Sequence, residues 1–142
     1  MKKLLVLIGS ILLLGTSINF AATFNIDASH SDVGFSVRHL GVSKTRGQFK
    51  DVSGKIVWNG KKELKSASFE GDIKIKSLDT QNKKRDGHLL SPDFFDAATF
   101  KSMTFKSTKV YKKLGKLYAK GHLTIHGVTK EVSIPIKVYG PV

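Results

Sequence analysis

The stretch ASFEGDIKIK, residues 67–76, sets Ala67, Phe69, Gly71, Ile73 and Ile75 against Ser68, Glu70, Asp72, Lys74 and Lys76 in strict alternation. A period of two matches the pleat of a β-strand, whose successive side chains point to opposite faces. The stretch therefore reads as a strand with one apolar and one solvated face. Val33, Phe35, Val37 and His39 alternate in the same way with Asp32, Gly34, Ser36 and Arg38. Further strands are expected over residues 47–58, 102–111, 116–126 and 130–139, with Asn59-Gly60 and Leu114-Gly115 supplying turn chemistry. Ala119, Gly121, Leu123 and Ile125 continue the inward set. Six substantial antiparallel strands joined by short turns indicate an all-β barrel or sandwich.

One segment departs from this pattern. Residues 80–90 are polar, carry no β-branched residue after Thr80, and end in Leu89-Leu90 before Ser91-Pro92. A short helix capped by Thr80 or Asn82 and stopped ahead of Pro92 fits these residues. The following Pro92-Asp93-Phe94-Phe95-Asp96 reads as a turn. Adjacent phenylalanines cannot share one face of a strand, so one is expected at a barrel mouth and one beneath the loop; the alternative is that both plug the core.

Lys2 and Lys3, an apolar run broken only by Gly9-Ser10, and the small residues leading to Ala21-Ala22 follow the order of a secretory signal peptide. A membrane anchor is the other reading. A spanning helix needs about 20 apolar residues, and Thr16, Ser17 and Asn19 interrupt this run early. Residues 1–22 are thus expected to be a cleaved leader and residues 23–142 one domain, periplasmic or secreted. No cysteine is present, so neither a lipidated cysteine nor a disulfide is available. The formal charge of +13 falls to +11 without Lys2 and Lys3. Such an excess draws a protein toward anionic membranes or polymers, although lysines in turns and at alternate strand positions also serve solubility and edge protection.

Catalysis finds little support. No GxSxG elbow occurs, and the histidines stand apart at positions 30, 39, 88, 122 and 126. His122 and His126 have a zinc-like spacing, but on a strand residues four apart lie roughly 13 Å from each other, too far for one ion. His30 with Asp27 and Asp32 is expected to order a turn by hydrogen bonding rather than to hold a metal. No catalytic or metal-binding residue is assigned.

Several blocks recur in a recognisable order: Asp27, His30-Ser31, Ser77-Leu78-Asp79-Thr80, RDGHLLSPDFFD at 85–96, MTFKS at 103–107 and LTIHGVTK at 123–130. In order and spacing the chain resembles the YceI-like family of polyisoprenoid-binding, lipocalin-like proteins. The resemblance runs from Thr23 onward. It implies an antiparallel lipocalin-like β-barrel with one short helix. The family pattern continues through at least one more strand pair beyond Val142, so the barrel is expected to be incomplete or open. It also implies a bound lipid, an isoprenoid or fatty-acyl chain, with no other cofactor. Val33, Phe35, Val37, Phe49, Phe69, Ile73, Ile75, Leu89, Phe94, Phe95, Met103, Phe105, Leu123 and Ile125 are the expected lining, an apolar set taken to be free of charge. Alternation alone does not distinguish a lined cavity from a filled core. His39, Arg85 and His88 are head-group candidates, Arg85 having Asp86 as a competing partner and His39 a backbone bond as its ordinary fate. Expected partners are a long-chain lipid, an anionic membrane surface and a second copy through exposed sheet edges, with no specific nucleic acid. The competing function is a basic envelope protein that binds anionic polymer or membrane.

Overall fold

Alternating strands with one apolar face must bury that face against another layer, and here the chain does so with two sheets. The computed structural model describes residues 21–39, 43–59 and 64–139, without the side chains of His39 and Ser43; residues 1–20 of the expected leader 1–22 lie outside the described residues. Among the described residues nine strands form: β1 Ala22–Asn25, β2 Val33–His39, β3 Ser43–Phe49, β4 Val52–Trp58, β5 Ser68–Lys74, β6 Leu78–Asp79, β7 Ser102–Lys113, β8 Lys116–Ile125 and β9 Val128–Ile136. They make a six-stranded sheet in the order β1-β4-β5-β7-β8-β9 and a three-stranded sheet β2-β3-β6. All pairings are antiparallel. Among the described residues no pairing joins the two sheets, so the structure is an open barrel.

β1 and β6 have no counterpart among the six expected strands, and three of the expected boundaries differ for a physical reason. The expected strand 47–58 is two strands in different sheets, joined by Lys50-Asp51. Phe49 and Val52, three residues apart, both face inward and are buried, which a single strand of period two cannot do. Ile75 leaves the strand pattern: Ile75–Ser77 is a 3₁₀ turn that carries the chain from the large sheet to the small one, with Ile75 N–H donating to the Lys101 carbonyl at 3.0 Å. That corner puts Ile75 between the sheets at 0% exposure. Finally, β9 begins at Val128 because His126 and Gly127 both take left-handed conformations, with φ of 51° and 72°. They close a two-residue hairpin of the kind that favours such φ values.

The helix α1, Lys83–Leu90, starts at Asn82, whose side chain accepts from the Arg85 N–H at 3.0 Å, and ends at Ser91 ahead of Pro92. Asn82 is therefore the cap, because Thr80 is committed elsewhere. Its hydroxyl donates to Asp86 Oδ1 at 2.6 Å and accepts from Arg85 Nε at 2.7 Å. Leu89 and Leu90 turn inward onto a cluster of Phe49, Ile75, Leu78, Ala97 and Met103, joined by Val33, Phe35, Ile73, Phe95 and Phe100. This core sits at one end of the space between the sheets, on the side of the β8–β9 turn, where Phe100 packs on His126 at 4.4 Å between ring centres.

Candidate functional site

Register alone assigns the inner face of the large sheet. Phe24 opposes Ile56, Ile56 opposes Phe69, Gly54 opposes Gly71, Gly71 opposes Phe105, and Phe105 opposes Leu123. Val132 and Ile134 continue the face on β9, opposite Gly121 and Ala119. From the small sheet, Val33, Phe35 and Val37 look across. The packed cluster stops one end of the intervening space, and beyond it much of the apolar face stays uncovered, although Ala67, Val110 and Ala119 are buried toward the β7–β8 hairpin. Phe24 is 50% exposed and Val37 57%, and Ile125, Val128 and Ile134 are exposed as well. Phe69, Phe105, Leu123 and Val132 are half-buried.

The centre of this face is kept low. A Cβ on Gly71 would meet no atom within 4 Å, so open space lies over it. Beside it Ser107, at the β7 bulge, is buried and accepts from the Phe69 N–H at 2.8 Å. The result is an apolar cleft with a sparsely filled middle and a plugged end, suited to a slender hydrocarbon.

The expected lining residues thus divide into two groups. Phe49, Ile75 and Met103 are buried in the plug, with Val33, Phe35, Ile73, Leu89 and Phe95 packed against it. Val37, Phe69, Phe105, Leu123 and Ile125 lie on the uncovered faces. Phe94 joins neither group: it is half-exposed and meets His88 edge-on at 4.9 Å, while Phe95 meets Phe49 in a T at 5.7 Å. One phenylalanine packs beneath the loop and its neighbour stays outside.

The head-group candidates are dispersed. Arg85 does not pair with Asp86; its Nη2 donates to the Thr80 carbonyl at 2.6 Å, and Asp86 accepts from both the backbone and hydroxyl of Thr80. Thr80 is the hub that binds both charges, a role invisible from the Arg-Asp adjacency. His88 Nε2 lies 3.9 Å from Asp93 on an exposed surface. The His39 side chain lies outside the description. The sequence reading missed a cation that does share the inner face. Lys130 opposes Leu123 between Val128 and Val132, so the inward set is not free of charge. One more residue of turn at His126-Gly127 would have sent Lys130 outward.

Electrostatics elsewhere belong to the outer faces. Lys106 and Lys55 both reach Glu70 at 3.1 Å and, with Lys106 the stronger cause, hold its carboxyl below the ordinary value. Lys50 does the same for Asp79 at 2.5 Å. His30 Nδ1 lies 2.7 Å from Asp27, which also accepts from Ser29, the larger cause of its lowered pKa. These bonds order the turn at residues 28–30. A concavity of about 640 Å³ at the small sheet is lined by Asp32, Arg46, Gln48, Asp79 and Gln81 together with Phe35. Among the described residues no three His, Cys, Asp or Glu side chains gather closely enough to hold a metal. His122 faces outward on β8 while His126 occupies the turn. No helix among the described residues is long and apolar enough to cross a membrane.

Comparison with known proteins agrees with this architecture. A UPF0312 protein of Photorhabdus laumondii is 38% identical over 141 residues, 98% of this chain and 73% of that protein. BcnA of Burkholderia cenocepacia superposes with a TM-score of 0.74 at 28% identity, covering 82% of this chain and 73% of BcnA. A polyisoprenoid binding domain of Saccharophagus degradans, implicated in plant cell wall breakdown, shares the fold at 18% identity and a TM-score of 0.53, covering 80% of this chain and 60% of that one. The chain spans about two thirds to three quarters of the length of its curated relatives. Residues 24–141 match the YceI-like domain, and with the cleft, the helix and the motif order in agreement, the chain belongs to the YceI-like family.

Proposed function

We propose that this protein binds one long-chain apolar lipid, of polyisoprenoid or fatty-acyl type, in the cleft between its sheets, and carries or stores it outside the cytoplasm. The observation that carries this reading is the uncovered inner face: Phe24, Val37, Ile125 and Ile134 remain exposed on the side where a filled barrel would bury them. Each CH₂ withdrawn from water contributes about 0.8 kcal/mol, whereas association costs on the order of 4–15 kcal/mol in lost freedom. Matching that cost alone takes about 5–19 CH₂ groups, so a guest held by apolar contact must be a long chain, and a slender one is the shape that fits over Gly71. Lys130 supplies a cation on the same face for an anionic head. The reading of the ligand as polyisoprenoid draws on the YceI-like resemblance and on the name of the Saccharophagus domain. Export draws on the leader-like order of residues 1–22. Catalysis forms no part of the proposal.

Mass spectrometry of a solvent extract from protein purified out of an exporting host tests it. A long-chain lipid in roughly equimolar amount is the expected result. An empty protein that also takes up neither polyprenyl nor fatty-acyl probes would overturn the reading.

A further inference from the structure

The β7–β8 hairpin outruns the sheet it belongs to. The last β5 pairing is Glu70 with Lys106, yet β7 continues to Lys113, paired beyond the bulge with β8 alone. At its tip Leu114 and Gly115 adopt left-handed conformations, φ 48° and 76°. Such turns favour Asn, Asp or Gly at both central positions, because a Cβ is crowded there. This chain instead places a leucine, 92% exposed. The leucine improves neither the turn nor the core.

Its surroundings are cationic. Lys112, Lys113 and Lys116 flank the turn, and Lys137 follows Ile136, which opposes Leu117 just beyond Lys116. None of the four has an ion-pair partner among the described residues. Acids are placed elsewhere: Glu70 serves Lys55 and Lys106, Asp72 serves Lys74, and Glu131 serves Lys120. Apolar surface adjoins the cations. Tyr139 is 85% exposed, Val138 is exposed, and a concavity of about 460 Å³ is lined by Leu64, Leu117, Pro135, Ile136, Val138 and Tyr139. Tyr111 and Tyr118 stack at 5.5 Å along the same hairpin. Because β8 runs from this tip to the plugged end, the tip stands at the opposite end of the cleft from the plug.

We infer that this hairpin tip docks the protein on an anionic lipid bilayer, with Leu114 entering the headgroup boundary and Lys112, Lys113, Lys116 and Lys137 facing phosphates. Cations beside exposed leucine and tyrosine match the two layers of a bilayer surface, charge outside and hydrocarbon within. A soluble polyanion meets only the charge and leaves Leu114 and Tyr139 in water. The inference does not depend on what the cleft holds.

Sedimentation with phosphatidylcholine vesicles, with and without phosphatidylglycerol, tests it on proteins sharing one N-terminus, so that any leader contributes equally. Wild type is expected on the phosphatidylglycerol vesicles and to be released by salt. Leu114→Asn should bind those vesicles roughly tenfold more weakly, the equivalent of about half a leucine burial. It should also melt higher, since Asn tolerates the left-handed turn, which separates lost docking from lost folding. Replacing Lys112, Lys113 and Lys116 together by Gln should remove the preference for phosphatidylglycerol. Wild-type binding by Leu114→Asn overturns the inference, as does no vesicle binding at all. Equal affinity for dextran sulfate, insensitive to Leu114→Asn, would identify a polyanion contact instead and overturn it too.

Discussion

Replacing Gly71 by valine should make the protein more stable and worse at its task. Gly71 stands at the middle of the inner face, between Gly54 and Phe105, and a Cβ there meets nothing within 4 Å. The Cβ would enter the cleft without meeting protein atoms, carrying two methyl groups with it. Glycine weakens a strand through backbone entropy and lack of contacts, so a β-branched residue at an unhindered position gains about 1 kcal/mol. For a domain of this size that raises the melting temperature by about 4 °C. The same three carbons occupy the path of the guest. Removing contact with about three CH₂ groups costs it about 2.4 kcal/mol, or roughly a fifty-fold loss of affinity. Thermal melts and titration with a fluorescent fatty-acyl probe read the two effects separately. Gly54→Val and Gly121→Val serve as controls, since a Cβ there collides with the Glu70 or Lys106 carbonyl and both variants should lose stability. A Gly71→Val protein that melts lower, or that binds the probe as wild type does, would refute the placement of the guest over Gly71.

Phe105→Asp, which puts an unpaired charge on a half-buried position, should cost on the order of 3 kcal/mol and abolish probe uptake; Ile125→Asp, at an exposed position, should abolish uptake with a clearly smaller loss, as urea midpoints will report. Thr80→Val removes the hydroxyl that Arg85 and Asp86 share, while the Thr80 backbone keeps its bonds to both, and should lower the urea midpoint by the equivalent of about 1–3 kcal/mol. Acid should destabilise the fold in a defined window. Glu70 and Asp79 are held below their ordinary values of 4.5 and 3.8, so their ion pairs contribute above those values and lose that contribution as pH falls through the lowered ones. Melting temperatures taken from neutral to acid pH should fall only below this range, and Glu70→Gln should flatten the fall. Lys74 and Lys120 are raised by Asp72 and Glu131, so their contributions persist through neutral pH and vanish only above 10.5.

Much of the fold is legible in local pattern. Period-two alternation marks β2, β5 and β8, because a strand with one buried face must repeat every second residue. Asn82 and Pro92 bracket the helix through capping chemistry and the missing proline donor. The Leu114-Gly115 turn and the YceI-like motif order are likewise read directly from residues. What alternation does not contain is the identity of the opposing face. Phe49 and Phe69 look alike in the chain, yet one is sealed in the plug and the other stays half-buried on the open face, because the link at Lys50-Asp51 and the corner at Ile75 send neighbouring segments into different sheets. Lys130 faces the cleft only because the β8–β9 turn holds two residues, and register, being a long-range property, reverses every side chain when it slips by one. Arg85 and Asp86 are adjacent in sequence but meet through Thr80, since α1 folds back over β6 and makes a buried hydroxyl available to both. Sequence by itself determined most of the strands, the helix and the family; tertiary structure decided which apolar faces are covered, because burial depends on what lies opposite and not on what comes next in the chain.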